Sequence, residues 1–121
     1  MRFTPAVVPL LGLLAACAAH RPAPRIEHLV LVDLADPADL SAMRAESDRL
    51  LARAPGVRRY LSGTPVDTGR YEVSADYDLA ILVEFDSVED YQAWLASAPH
   101  RELGSKWRPR WKRATIVDFA P

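Results

Sequence analysis

Runs of apolar residues divide the chain into four predicted strands. Ile26 to Leu34 and Tyr77 to Phe85 are rich in Val, Leu and Ile and carry apolar side chains on both faces. Val57 to Gly63 is shorter and more polar, and Lys112 to Ala120 is the last strand. A sheet face that meets water would show polar residues, so we expect the two apolar strands to be covered on both sides.

Three helices are predicted between these strands. The first follows Asp36 and Pro37, because aspartate can cap a first turn and proline suits the first helical position. The second begins after Ser87, in a segment that resembles a capping box, and Pro99 ends it. A short third helix is predicted over His100 to Arg108. The order β-α-β-β-α-α-β predicts an α+β, ferredoxin-like sandwich with a four-stranded antiparallel sheet and one additional helix.

The first residues have the pattern of a secretory leader. Arg2 precedes an uncharged run from Ala6 to Leu14, which is shorter than the roughly 20 apolar residues that cross a bilayer. Leu14-Ala15-Ala16-Cys17 resembles the lipobox of bacterial lipoproteins, in which the peptidase cuts before the cysteine and the cysteine is acylated. The alternative is an ordinary secretory leader with an incidental cysteine.

The lipobox resemblance implies three segments of the chain and a cellular location. Residues 1–16 are expected to be a lipoprotein signal peptide, 17–25 a lipid-anchored tether and 26–121 the folded domain. Two prolines between His20 and Arg25 favour a stiff tether. Ala18, where aspartate would favour retention in the inner membrane, implies the periplasmic face of the outer membrane.

The composition of the chain argues against nucleic-acid binding by bulk charge and against disulfide or thiolate-zinc sites. The formal net charge is −1, with 50% hydrophobic and 26% charged residues, which is typical of a soluble globular protein. A nucleic-acid binder that works by bulk charge would show a basic excess. The single cysteine excludes an intramolecular disulfide and a zinc site of several thiolates. Neither a metal nor another cofactor is predicted.

From Glu27 to Phe119 the chain resembles the stress-responsive dimeric α/β-barrel (Dabb) family. This resemblance implies a homodimer in which the open faces of two sheets close a barrel, through the face that carries Leu29, Leu31 and Leu82. The matching segments are His28-Leu29-Val30-Leu31, Pro55-Gly56-Val57, Tyr77-Asp78-Leu79-Ala80, Glu84-Phe85-Asp86-Ser87, Pro99-His100 and Val117-Asp118-Phe119.

The same resemblance points to two histidines. In a plant polyketide cyclase of the family, the catalytic histidine resembles His100, and a pocket histidine on the first strand resembles His28. Histidine can remove a proton next to a carbonyl because its ordinary pKa lies near neutrality. Trp94 stands where the cyclase has a tyrosine and Leu79 where it has a third histidine, which argues against the same reaction. Packing roles for both histidines are the alternative.

Aromatic residues near the second and third helices predict an apolar ligand pocket, with core packing as the alternative. Trp107 is expected to edge the cavity, and Tyr91 belongs to the same cluster. The polar or anionic head of a ligand would lie near His100, with Lys106 as its charge partner. The residues predicted to contact the ligand are Val30, Ile81, Trp94, Lys106 and Trp111.

The segment from Arg101 to Arg113 contains six basic residues and one acidic residue, Glu102. It could bind an anionic ligand or acidic membrane headgroups, and a solvated basic surface is the alternative.

Three functions follow from these observations. The first is an envelope-anchored dimer that binds a small apolar or amphipathic molecule between sheet and helices. The second is a cofactor-free enzyme, of the polyketide-cyclase or monooxygenase type, with His100 as general base. The third is a structural or interaction module without a pocket. A convergent group of polar side chains in the pocket would favour the enzyme.

Replacement of Cys17 tests the lipoprotein prediction. Cys17→Ser should abolish lipid attachment and leave uncleaved precursor, because only the thiol can be acylated. Mass spectrometry of the wild type and the variant measures both events. Normal cleavage of the wild-type chain after Ala16 without a lipid would contradict the prediction.

Overall fold

A computed structural model describes residues 23–121, so the predicted signal peptide and Cys17 lie outside the described residues. Four strands form one antiparallel sheet in the order β2-β3-β1-β4. The strands are β1 (Ile26–Leu34), β2 (Val57–Gly63), β3 (Leu79–Phe85) and β4 (Trp111–Phe119). The predicted ferredoxin-like fold is confirmed.

Three α-helices cover one face of the sheet. They are α1 (Leu40–Leu51), α2 (Val88–Leu95) and α3 (Ala98–Trp107), and single 3-10 turns lie at Pro37–Asp39 and Arg108–Arg110. The Asp36 side chain accepts a hydrogen bond from the Ala38 amide, and Ser87 accepts one from Asp90. Ser87 therefore caps α2 as expected, whereas Asp36 caps the 3-10 turn that leads into α1.

The boundary between α2 and α3 differs from the prediction. Pro99 does not end α2, which stops at Leu95, but lies in the first turn of α3. Ser97 caps α3 by accepting a hydrogen bond from the His100 amide. A proline in a first helical turn costs no hydrogen bond, since the amides there have no partner within the helix.

The core lies between the sheet and the helices. Alternate residues of β1 and β3 face it, and Val32, Leu79, Val83 and Phe85 have no exposed surface. The same alternation places His28 on the core face of β1, where it is 4% exposed. One imidazole therefore lies in an otherwise apolar row.

The opposite face of the sheet carries a row of apolar side chains. Strand register aligns Leu61, Leu82, Leu29 and Val117 across all four strands. Leu61 and Val117 are 45% and 43% exposed. In the described part of the chain, no helix is long and apolar enough to cross a membrane.

Candidate functional site

A cavity of about 120 Å³ lies between the sheet and the three helices. Its size is close to that of an engineered apolar cavity of about 150 Å³ that binds benzene. Most of its lining is apolar, and its polar side-chain groups come from two histidines, two tryptophans, a tyrosine and an arginine. The residues that line it are His28, Val30, Met43, Leu51, Ile81, Tyr91, Trp94, Leu95, His100, Leu103, Gly104, Arg108, Trp111 and Ile116.

His28 is held by a carboxylate from the neighbouring strand. The register of β1 and β4 places His28 directly opposite Asp118, and His28 Nδ1 lies 2.5 Å from Asp118 Oδ1. Tyr91, on α2, donates its hydroxyl to Asp118 Oδ2 at 2.8 Å. Asp118 thus joins the imidazole and the phenol at one end of the cavity.

The protonation states of this group determine what His28 can do. Partial burial raises the pKa of the Asp118 carboxyl, but hydrogen bonds from His28 and Tyr91 outweigh burial and bring that pKa below its usual value. Burial and the hydrogen bond to Asp118 raise the pKa of Tyr91 to about 12, so its hydroxyl stays protonated. An ionised carboxylate can only accept hydrogen bonds, so neutral His28 carries its proton on Nδ1 and leaves Nε2 as an acceptor.

His100 is fixed at the junction of α2 and α3. Its Nδ1 donates to the Leu95 carbonyl at 3.0 Å, so Nε2 is again the acceptor nitrogen. Burial lowers the pKa of His100 below its ordinary value of 6.5, the hydrogen bond to Leu95 opposes this, and the charge of Arg108 lowers the pKa further. The ring is therefore uncharged at neutral pH.

Trp94 lies between the two histidines. Its ring centroid is 5.4 Å from that of His28 and 4.5 Å from that of His100. The indole nitrogens of Trp94 and Trp111 are buried and make no hydrogen bond with any described residue. A single aromatic side chain is thus in contact with both imidazoles.

The structure places most of the predicted site residues together. Both histidines line the cavity, and so do Val30, Ile81, Trp94 and Trp111. Their contact with a ligand stays a prediction, as do the catalytic roles of His100 and His28.

Lys106 does not line the cavity, so the prediction that it pairs with the head of a ligand there is wrong. Its ammonium lies 2.6 Å from Glu46 Oε2, on the side of α3 that faces α1. The prediction that Trp107 edges the cavity is also wrong. Trp107 is 2% exposed in the core, and its indole donates to the same Glu46 oxygen at 2.8 Å. Lys106 and Trp107 together hold Glu46 and are turned away from the cavity.

Sequence reasoning missed the two groups that orient His28. Asp118 appeared only as part of a matching segment, and Tyr91 only as an aromatic residue. The ferredoxin-like topology pairs the central first strand with the last strand at the edge of the sheet, and this pairing would have brought Asp118 opposite His28. Within residues 23–121, no group of three or more His, Cys, Asp or Glu side chains could hold a metal ion.

Comparison with protein families gives one match. The model of the Stress responsive A/B Barrel Domain matches residues 26–121. No match was found among curated protein sequences.

Solved structures share the fold at low sequence identity. A dimeric ferredoxin-like protein of unknown function from Thermobifida fusca is 20% identical, with a TM-score of 0.70 over 82% of this chain and 92% of the other. Hydroxynitrile lyase from Passiflora edulis is 17% identical, with a TM-score of 0.70 over 84% and 95% of the two chains. A cofactor-independent oxygenase from Streptomyces nogalater is 15% identical, with a TM-score of 0.63 over 82% and 94%.

Proposed function

The chain belongs to the stress-responsive A/B barrel family, and on that premise we propose that it is a cofactor-free enzyme with a general base. The base is Nε2 of His28, and the substrate is a small, largely apolar molecule held in the cavity. The reaction begins with removal of a proton from carbon next to an electron-withdrawing group such as a carbonyl. Two structurally similar proteins, a hydroxynitrile lyase and a cofactor-independent oxygenase, are enzymes on this fold.

The contact between Asp118 and His28 carries the proposal. A carboxylate on Nδ1 fixes the tautomer in which Nε2 can accept a proton, and it stabilises the imidazolium that forms. The substrate proton moves to Nε2 and the electron pair stays on the substrate. Because the lining is mostly apolar, water competes weakly for Nε2, and Asp118 acts on the imidazole through a direct hydrogen bond.

Binding without catalysis is the second candidate. The same cavity could hold a small molecule while His28 serves only as a hydrogen-bond acceptor. Orientation of His28 by both Asp118 and Tyr91 favours the enzyme, because simple binding does not require a fixed tautomer. A purely structural module would be expected to fill the space between sheet and helices, and here a cavity lies there.

The base can be tested with a probe compound, without knowledge of the natural substrate. Nitrobenzisoxazole is a small aromatic compound whose ring opens when a base removes its ring C–H proton, which breaks the N–O bond and releases a coloured nitrophenolate. We expect the protein to accelerate this reaction and His28→Ala to lower kcat/KM by about a hundredfold, the lower range for a positioned general base. Asp118→Asn should also lower kcat, because an amide can donate to Nδ1 and favour the wrong tautomer.

Asp86→Asn is the matched control, since Asp86 is an exposed carboxylate that pairs with Arg58 outside the cavity. It should leave the rate unchanged. Equal rates for wild type and His28→Ala, at equal probe binding, would contradict the base and leave the binding function.

We also propose that two copies pair through the open face of the sheet. The row of Leu61, Leu82, Leu29 and Val117 is apolar, and Phe119 on the same face is 46% exposed. Burial of apolar surface contributes about 25 cal/mol per Å², and soluble monomers rarely expose a continuous patch of this kind. The structurally similar protein from Thermobifida fusca is described as dimeric.

Sedimentation of the purified protein tests the pairing. The wild type should sediment as a dimer at micromolar concentration, and Leu31→Asp should dissociate it because a carboxylate would be buried at the interface. Leu29→Ser is a milder second variant, expected to weaken the dimer without loss of solubility. Val66→Asp, which changes an exposed loop residue, should remain dimeric. A monomeric wild type would contradict the proposal.

The lipobox supports a location on the bacterial envelope, with the domain tethered through Cys17. This address rests on the sequence alone, and the Cys17→Ser experiment tests it.

A further inference from the structure

A second pocket, of about 370 Å³, lies beside the cavity at His100. The two spaces share four lining residues, Leu95, His100, Gly104 and Arg108. Arg101 and Ser105 complete the lining of this outer pocket, and no carboxylate contributes to it. The cavity therefore changes from apolar at its inner end to basic at its outer end.

The spacing of residues on α3 builds this basic end. His100, Gly104 and Arg108 follow one another at intervals of four, which places them on one face of the helix. A Cβ atom at Gly104 would lie 3.3 Å from Arg108 Nε. The Arg108 side chain therefore lies along the helix, over the glycine and towards His100.

Most of the basic side chains between Arg101 and Arg113 form ion pairs with carboxylates. Lys106 pairs with Glu46, Arg110 with Asp39, Lys112 with Asp33, and Arg113 with Asp76. Among the described residues, Arg101 and Arg108 have no carboxylate oxygen within 4.0 Å. Both line the outer pocket, so the unpaired charge of the segment is concentrated there and not spread as a surface for membrane headgroups.

We propose that the ligand of this site is a small organic acid whose carboxylate binds Arg108. The apolar body of the acid lies in the inner cavity, and its carboxylate lies in the outer pocket beside His100. A guanidinium suits this role because its planar fork binds a carboxylate through two parallel hydrogen bonds. The proposal rests on the proposed function, because it assigns the substrate class of the same cavity, and it gives to Arg108 the role that the sequence suggested for Lys106.

A matched pair of probes tests the carboxylate. Phenylacetate and phenylacetamide have nearly the same shape, and only the first is charged. Titration calorimetry on the purified protein should show phenylacetate binding at least about tenfold more tightly, the effect of a hydrogen bond between charged groups. In Arg108→Gln the affinity for phenylacetate should fall by about tenfold, while the affinity for phenylacetamide should change little.

Arg53→Gln is the control, because Arg53 is also exposed and without an ion pair among the described residues, and lies outside both pockets. It removes the same charge and should leave both affinities unchanged. Equal binding of the two probes by the wild type, or equal effects of the two substitutions, would overturn the assignment.

The binding test of Arg108 and the ring-opening test of His28 can fail independently. Loss of ring-opening activity in a protein that still prefers phenylacetate contradicts His28 as base and leaves the carboxylate assignment intact. Activity without that preference does the reverse. If neither probe binds and the ring opening is not accelerated, both proposals are wrong.

Discussion

The position of β1 at the centre of the sheet determines the rest of the site. β1 pairs with β3 on one side and with β4 on the other, so its core-facing residues His28, Val30 and Val32 each meet one residue from each neighbour. His28 meets Val83 on β3 and Asp118 on β4. A shift of one residue in the register of β4 would turn Asp118 to the opposite face, because side chains alternate along a strand.

Asp118 offsets the energetic cost of burying the His28 imidazole in the core. A buried imidazole without partners would be destabilising, since a polar group loses its hydrogen bonds to water on burial. Asp118 supplies the partner, and Tyr91 supplies a second hydrogen bond to the same carboxylate. Asp118 itself lies on an edge strand with 41% of its side chain exposed, so its charge is not fully removed from water. The hydrogen bonds of His28 Nδ1, Tyr91 and Asp118 are thus satisfied within the cluster, and Nε2 of His28 is left for another molecule.

Local sequence patterns predicted the fold well because the elements of this chain are strongly marked. The alternation in β1 and β3, and the caps at Asp36 and Ser87, each act within a few residues and are visible in the sequence. The end of α2 was misjudged because Pro99 can either end one helix or begin the next, and the cap at Ser97 decides between them.

The site was harder to predict because it depends on contacts between distant residues. His28 and Asp118 are 90 positions apart, and no local pattern links them. Lys106 and Arg108 differ by two positions and are alike in charge, yet one faces Glu46 and the other the cavity. Only the orientation of α3 on the sheet distinguishes them. The apolar members of the lining were easier, since strand alternation already placed Val30 and Ile81 on the core face.

Nitrogen NMR of the histidine rings can show whether Asp118 orients His28 as a base, because the chemical shifts report which ring nitrogen carries the proton. We expect neutral His28 to be protonated on Nδ1 and unprotonated on Nε2, and Asp118→Asn to shift the population towards the tautomer protonated on Nε2. A wild-type protein in which neutral His28 carries its proton on Nε2 would contradict this assignment, since His28 would then present no acceptor to the substrate.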